Sequence, residues 1–257
     1  MSLIELTLEG IKNKVNIAIE RLKHFEPPEG YYLAFSGGKD SQCIYELAKM
    51  SGVRFDAHFH FTTVDPPELL KFIRDNYLEV KFHRPKKSMF QLIPKKLMPP
   101  TRMVRYCCEY LKEYGGKGRL VVTGIKWKES YKRSKRKIFE IDTKTKTKKF
   151  LNPIIDWTEQ DSWEFIKQRN LKYCSLYDEG FKRIGCILCP MQTIKGKLKE
   201  KERYPKFYKA YLLAFKKMLI ERNKRTDLRT EWDTPEDVMD WWIYGGKSKK
   251  KQDMLFN

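Results

Sequence analysis

Tyr31-Tyr32-Leu33-Ala34-Phe35-Ser36-Gly37-Gly38-Lys39-Asp40-Ser41-Gln42 decides how the rest of the chain is read. Its first five residues form a short apolar run that predicts a buried strand, and a helical stretch over residues 42–50, closed by Ser51-Gly52, follows the turn. A glycine-rich turn between a buried strand and a helix has one evident physical use. The helix start presents N–H groups without intrahelical partners and a partial positive charge, and glycines let an anion approach the backbone. Gly37 and Gly38 supply that approach, Lys39 a mobile cation, and Ser36 and Ser41 hydroxyl donors. The pattern does not fit Gly-x-x-x-x-Gly-Lys-Ser/Thr, so it is a different phosphate loop. Asp40 would repel phosphate here unless it caps the helix or meets Mg²⁺.

Outward from this unit, strand and helix patterns alternate. Residues 8–25 predict an amphipathic helix, with Leu8, Ile11, Val15, Ala18, Ile19 and Leu22 at helical spacing, ended by Pro27-Pro28-Glu29-Gly30. Residues 53–61 predict a second strand, 66–76 a second helix and 78–82 a third strand. Leu120-Val121-Val122-Thr123-Gly124 is a later strand, apolar enough to be buried on both faces. Alternation at this pitch implies an α/β fold, a doubly wound parallel sheet with right-handed crossovers. From Trp157 onward the pattern is mostly helical, including residues 204–222 and 235–244. The expected division is a nucleotide-binding α/β domain over 1–165 and a helical extension over 166–257 packed on it.

The 257 residues include 53 Lys or Arg against 33 Asp or Glu, a formal charge of +20. Such an excess attracts polyanions, either a nucleic acid or a multiply charged nucleotide; a solvated lysine-rich surface is the plain alternative. Hydrophobic residues at 41% and aromatics at 14% exclude global disorder. No apolar run approaches the ~20 residues of a membrane span, so no membrane partner is expected. The first residues lack a basic stretch followed by an apolar one, which leads to the expectation of a cytoplasmic protein. Residues 132–149 hold nine Lys or Arg, with Thr and Lys alternating from Thr143 to Lys148. Period-two threonine and lysine suits an exposed hairpin or edge strand, or else a strip that tracks phosphates. The basic run at 247–251 is expected to be disordered.

Six cysteines without an export signal are not read as disulfides. Cys107 and Cys108 are adjacent, and Cys186 and Cys189 form a Cys-x-x-Cys with Gly185 and Pro190 on either side. Four thiolates satisfy either a tetrahedral Zn²⁺ or a [4Fe–4S] cluster. Cys174 could replace Cys107 as a fourth ligand, and Cys43 reads as a small core residue. His58 and His60 share one face of a strand as polar positions rather than as ligands, while His24 and His83 lack an evident partner in sequence.

Ser36-Gly37-Gly38-Lys39-Asp40-Ser41 resembles the PP-loop of the ATP-pyrophosphatase, adenine-nucleotide α-hydrolase-like superfamily, which implies binding of pyrophosphate or a terminal phosphate. Arg105-Tyr106-Cys107-Cys108-Glu109-Tyr110-Leu111-Lys112 resembles the Arg-x-Cys-Cys-x-x-Leu-Lys element of the phosphoadenosine-phosphosulfate (PAPS) reductase family. Gly124-Ile125-Lys126, Glu129-Ser130 and Arg133 resemble that family's Gly-Ile-Arg-x-x-Glu-Ser-x-x-Arg, with Lys126 in place of the first arginine. Asn152-Pro153-Ile154-Ile155-Asp156-Trp157 and the run from Leu176-Tyr177 to Cys189-Pro190 match further elements of the same family.

The resemblance implies an adenine nucleotide, ATP or PAPS, held with Mg²⁺ by Ser36 to Ser41, Gly124, Lys126, Glu129, Ser130 and Arg133. Lys39, Asp40 and Arg133 take the catalytic roles. It implies a [4Fe–4S] cluster on Cys107, Cys108, Cys186 and Cys189, with zinc the lesser alternative. The family's reductases attack sulfonate with a cysteine in a C-terminal tail, and no cysteine follows Cys189 in this sequence. The leading expectation is therefore ATP-dependent adenylation coupled to sulfur transfer onto a nucleic acid (tRNA or DNA) or a small acceptor, with a sulfur-donor protein as partner. A PAPS or adenylylsulfate reductase using a non-standard thiol, and a non-catalytic nucleotide-binding accessory or sensor, are the alternatives.

Overall fold

The computed structural model describes residues 3–7, 10–142, 147–228 and 232–245. In chain order the elements are β1 (Ile4–Thr7), β2 (Gly10–Asn13), α1 (Lys14–His24), β3 (Tyr31–Ala34), α2 (Lys39–Ser51), β4 (Phe55–His60), α3 (Pro67–Asn76), β5 (Lys81–His83) and α4 (Met89–Lys96). There follow α5 (Tyr106–Leu111), β6 (Leu120–Val122), α6 (Tyr131–Ser134), β7 (Phe139–Ile141), β8 (Lys149–Leu151), α7 (Glu159–Gln168), α8 (Ile194–Arg203), α9 (Pro205–Asn223) and α10 (Pro235–Tyr244). They gather into two compact units: Met1–His60 with Pro67–His83 and Gly115–Ile184, and Phe61–Pro66 with Arg84–Tyr114 and Gly185–Asn257. The boundary is thus not a single cut near residue 165. The second unit takes two segments from within the first half of the chain, because α4 packs against α9.

The first unit is built on a six-stranded sheet of order β5-β4-β3-β6-β8-β7. The first five strands in that order are parallel, and β7 closes the edge antiparallel to β8. The fold is therefore the expected parallel α/β sheet. From β3 the chain winds outward through β4 to β5, then returns to place β6 on the other side of β3. That reversal makes the space beyond the carboxyl ends of β3 and β6 the topological switch point, where open α/β sheets bind ligands. The 132–149 stretch contains the edge strand β7, as its lysines suggested, while residues 143–146 and the basic run at 247–251 lie outside the described residues.

The helix read over residues 8–25 begins later than its apolar spacing implied. Residues Ile4 to Thr7 pair antiparallel with Gly10 to Asn13, and the Asn13 side chain accepts from the N–H groups of Val15 and Asn16 to start α1. Ile11 therefore lies in a strand: Gly10 (φ +117°) turns the hairpin, and the Asn13 cap fixes the helix start. Tyr31 and Leu33 are fully buried, and the Tyr31 hydroxyl donates to the Leu22 carbonyl of α1 at 2.6 Å. The Asn152-to-Trp157 run is structural. Trp157 is fully buried, and Asp156 accepts a bidentate pair from Arg21 of α1 at 2.8 and 3.0 Å.

On the other face of the sheet Tyr32 stacks on His58, ring centroids 3.8 Å apart. His83, which seemed to lack a partner, meets His58 at 2.7 Å, because β4 and β5 pair in a register that brings the two strands' imidazoles together. Asp56 bonds both His58 and Arg119. Burial alone would raise the Asp56 carboxyl, but the hydrogen bonds from Arg119 and His58 outweigh it and hold the group at about 2, below its ordinary 3.8. A carboxyl with a depressed folded-state pKa stabilises the fold above its unfolded value, and that contribution is lost as pH falls through the folded one. Asp56→Asn is expected to cost about 2 kcal/mol at neutral pH and to flatten the acid loss of stability between pH ~4 and ~2, measured by urea titration across that range. A variant whose acid limb matches the parent protein would overturn this account of the Arg119–Asp56–His58 network.

The second unit is all helical among its described residues. Tyr211, Phe215 and Met218 of α9, Met239 and Ile243 of α10, and Ile93 of α4 form its core. Two buried polar side chains secure it. Lys197 donates to the last carbonyls of α10, Trp242 at 2.7 Å and Ile243 at 3.1 Å, where a cation meets the negative end of the helix dipole. Glu200 accepts from the Leu188 N–H at 2.7 Å. No helix among the described residues is long and apolar enough to cross a membrane.

Candidate functional site

The switch point is occupied by the residues between β3 and α2. Gly37 sits at φ +72°, a conformation L side chains rarely adopt, and a Cβ there would fall 2.7 Å from Leu69 and Ile73 of α3. The helix starts at Lys39, so Lys39, Asp40 and Ser41 form the first turn of α2, three residues earlier than the apolar pattern showed. Gly38 is its N-cap and, having no side chain, supplies no capping hydrogen bond of its own. Ser36 and Ser41 bond each other at 3.2 Å, and Ser41 donates to the Gly38 carbonyl at 2.8 Å. Beneath the loop, Gln42 is fully buried and its amide donates to the Gly37 carbonyl at 3.0 Å. The result is a rigid, glycine-lined helix N-terminus with hydroxyls and one ammonium beside it.

That ammonium, Lys39, is 3.5 Å from Glu159 and 3.9 Å from Asp40, and lies beside the Tyr177 ring. The Lys39 backbone N–H donates to the Tyr177 hydroxyl at 3.0 Å. Burial pushes the Tyr177 phenol up, so the hydroxyl keeps its proton. Tyr177 belongs to the Leu-Tyr element quoted from the sequence, but its place at the loop had no signal there.

Gly124 and Lys126 follow β6 and converge on the same turn. A Cβ at Gly124 would stand 3.0 Å from the backbone carbonyl of Asp40, so glycine lets the two loops pack closely without displacing that backbone. Lys126 is 3% exposed and does not face solvent as a ligand donor would. Its ammonium donates to Asp40 at 2.6 Å, to Ser162 at 3.1 Å and to the Thr158 carbonyl at 3.5 Å. Ser162 also donates to Asp40 at 2.8 Å. Asp40 is therefore neutralised by Lys126. Of the two options read from sequence, the helix cap is replaced by this ion pair. Ser162 was missed, since nothing marks a serine in the middle of α7. Glu129, Ser130 and Arg133 form the next turn: Glu129 pairs with Arg133 and accepts from the Lys126 N–H at 3.1 Å, and Ser130 caps α6 by accepting from the Arg133 N–H at 3.3 Å.

The four cysteines of the two motifs all lie in the helical unit. Cys107 and Cys108 are consecutive in α5, the first buried and the second half-buried. Cys186 to Cys189 form a tight turn in which Leu188 takes φ +56° and the Cys189 N–H donates to the Cys186 carbonyl at 3.2 Å. Segment 61–66 packs on this knuckle: the Ile187 N–H donates to the Val64 carbonyl at 2.8 Å, and Cys186 approaches the Thr62 hydroxyl at 3.5 Å. The thiols act on one another. A hydrogen bond from Cys107 lowers Cys108 to about 6, while the same bond, burial and the charges of Cys108, Cys186 and Cys189 push Cys107 up. Lys112 has its ammonium pKa raised, chiefly by Cys186, with Asp65, Cys108 and Cys189 adding.

Four soft donors, with the charges of Cys186 and Cys189 reaching Cys107 and the half-buried Lys112 beside them, fit a thiolate-ligated group of net negative charge. Among the described residues, no three Cys, His, Asp or Glu side chains close tightly enough to hold a single ion. Cys174 is instead a buried residue of the sheet unit, raised by burial and acted on by Glu68, Glu179 and Asp178. Cys43 is buried and raised by burial, a core residue as read.

Residues 30–192 match the family model described as the phosphoadenosine phosphosulfate reductase domain. The chain belongs to this family. The match runs from the start of β3 past Cys189, so it takes in both the PP-loop and all four cysteines. Two uncharacterised proteins of Methanocaldococcus jannaschii are 31% and 30% identical over 193 and 235 residues, or 70% and 84% of this chain. The chain spans only 40% and 52% of their lengths. An adenosine 5'-phosphosulfate reductase of Shouchella clausii is 24% identical, covering 72% of this chain and 81% of its own. A probable FAD synthase of Schizosaccharomyces pombe is 29% identical, covering 70% and 69%. Among solved structures, PAPS reductase from Candida auris superposes with a TM-score of 0.52 at 17% identity, over 71% of this chain and 97% of that one. The PAPS reductase fold is thus shared at low identity.

In this PAPS reductase domain the two readings of Lys126 predict different phenotypes. Removing Lys126 takes the counter-charge from the half-buried Asp40 and leaves a gap beneath the turn. Lys126→Ala is expected to destabilise the protein by about 1–2 kcal/mol in chemical denaturation. Unchanged stability with weakened nucleotide binding would return Lys126 to the role of a direct ligand.

Proposed function

We propose that this PAPS reductase domain protein is an ATP-dependent enzyme that adenylates an acceptor and exchanges the adenylate for sulfur, the acceptor being a nucleic acid. The observation that carries the reading is the N-terminus of α2, glycine-lined and placed at the switch point with Lys39, Ser36 and Ser41 around it. Its backbone N–H groups and Lys39 hold the β- and γ-phosphates, and Mg²⁺ rides on the phosphate oxygens. Asp40, tied to Lys126 and Ser162, positions the turn rather than binding the nucleotide. An acceptor oxygen attacks the α-phosphorus, the bond to the bridging oxygen breaks, and pyrophosphate leaves into the loop, its growing charge met by Lys39 and the helix dipole. Arg133 supplies a second cation from the turn after β6. A sulfur nucleophile from a donor protein then displaces AMP from the adenylated carbon.

Cys107, Cys108, Cys186 and Cys189 hold a [4Fe–4S] cluster in this reading, which supplies either a fixed structural cross-link or a site for sulfur. A second reading, sulfonate reduction on PAPS or adenylylsulfate, is favoured by the named reductase of Shouchella clausii among the relatives. It needs a thiolate nucleophile. The two cysteines outside the set of four, Cys43 and Cys174, are buried and raised by burial, which weighs against it.

Calorimetry with ATP and with PAPS separates the two. Lys39→Ala is expected to weaken ATP binding about ten- to a hundredfold by removing a charge-assisted contact. Equal affinity in the variant, or binding of PAPS alone with thiol-dependent release of sulfite, would overturn the adenylation reading. Protein purified without oxygen is expected to be brown, with about four irons per chain and broad absorbance near 400 nm. Colourless protein carrying one zinc would overturn the cluster.

A further inference from the structure

The segment from Trp127 to Lys137 leaves the candidate nucleotide site and carries two large aromatics in solvent. Tyr131 is 76% exposed and Trp127 37%. The one polar atom of the indole is already satisfied, since Trp127 Nε1 donates to the Arg136 carbonyl at 2.7 Å, and what remains exposed is π surface. The Lys135 ammonium stands 4.4 Å from the Tyr131 ring centroid. Arg133 pairs with Glu129 and Arg136 with Glu140, so the acidic residues of the segment are matched internally. Lys128, Lys132, Lys135 and Lys137 are exposed and make no ion pair with a described carboxylate.

Exposed aromatics interleaved with lysines outside any ion pair are how proteins hold unpaired nucleic acid: bases stack on the rings while the cations track the backbone. We infer that this segment is the docking surface for an unpaired stretch of RNA, an inference that rests on the nucleic-acid acceptor of the preceding reading and narrows it. A duplex hides its base faces, so Tyr131 would have nothing to stack on. Loops and ends of RNA present splayed bases to such rings. Location supports the same occupant. Glu129, Ser130 and Arg133 of the candidate nucleotide site alternate with Lys128, Tyr131 and Lys132 in one turn and one short helix, so a base stacked on Tyr131 is held beside the site that would activate it.

The test uses the full chain and a fluorescein-labelled 12-nucleotide RNA, with a 12-base-pair DNA duplex for comparison, read by fluorescence anisotropy over a range of salt. The single-stranded RNA is expected to bind more tightly than the duplex. Tyr131→Ala is expected to weaken RNA binding about tenfold through lost stacking. Joint replacement of Lys128, Lys132 and Lys135 by Ala is expected to reduce the slope of log K against log salt by about 2, at about 0.7 per lost phosphate contact. ATP affinity and circular dichroism should be unchanged in both variants. If the parent protein binds the RNA and both variants bind it equally well, the surface is elsewhere and the nucleic-acid reading stands. If the parent protein binds no RNA at low salt, both fall. Tighter binding of the duplex overturns the surface assignment. So does displacement by polyglutamate as effective as by RNA with no effect of Tyr131→Ala, which would indicate an acidic protein partner.

Discussion

The sheet unit depends on one ion pair whose cation is buried and whose carboxylate is half-buried. Asp40 in the first turn of α2, Lys126 after β6 and Ser162 in α7 meet at a single carboxylate oxygen, joining three elements far apart in sequence. The Lys126 ammonium, buried, would be costly without its counter-charge, so the three elements are held together. The contact lies directly under the glycine turn. Whatever fixes Asp40 therefore also fixes the orientation of the backbone N–H groups that face an anion. Gly124 makes the approach possible by having no side chain where Asp40's carbonyl passes.

Much of this was legible in the sequence, and the limits are instructive. The strand–turn–helix unit could be read because glycines and a short apolar run are local signals, and the parallel sheet followed from alternation, whereas the order of its strands did not. The start of α1 was misplaced because Ile11 fits a helical period equally well in the strand it occupies, and only the pairing of Gly10 to Asn13 with Ile4 to Thr7 decides between them. The residues around Lys39 were partly legible. Lys126 could be singled out as a basic residue near the loop, but its burial could not, since that depends on Ser162 arriving from another helix. Tyr177 stood inside a quoted run, yet its hydroxyl reaches Lys39 across 138 positions of sequence. Long-range partners are the part that local pattern does not carry.

The cysteines show the converse. Their number and spacing already grouped them, and the helical unit brings both pairs into electrostatic contact. What spacing could not supply is the apparatus around the Cys-x-x-Cys. Leu188 holds a left-handed backbone that a leucine adopts at some cost, and Glu200 and Tyr211 bond the turn at the Leu188 N–H and the Ile187 carbonyl. Neither Gly185 nor Pro190 does this work. The knuckle is shaped by partners from α8 and α9.

The interrupted path of the helical unit has a consequence for synthesis. Residues 84–114, with α4 and α5, leave the ribosome before α9, the helix on which α4 packs most, exists. Roughly seventy more residues must be made before Gly185 appears, on the order of ten seconds at ordinary elongation rates. During that interval Leu92, Ile93 and Leu111, all buried at the end, have no partners from α9, and the thiols of Cys107 and Cys108 have none of their sister pair. The sheet, whose last strand ends at Leu151, can form while this insert is still open. Synthesis in this order leaves a stage in which the sheet's strands are complete and the helical insert is still bare, which is where chaperones would find their opening.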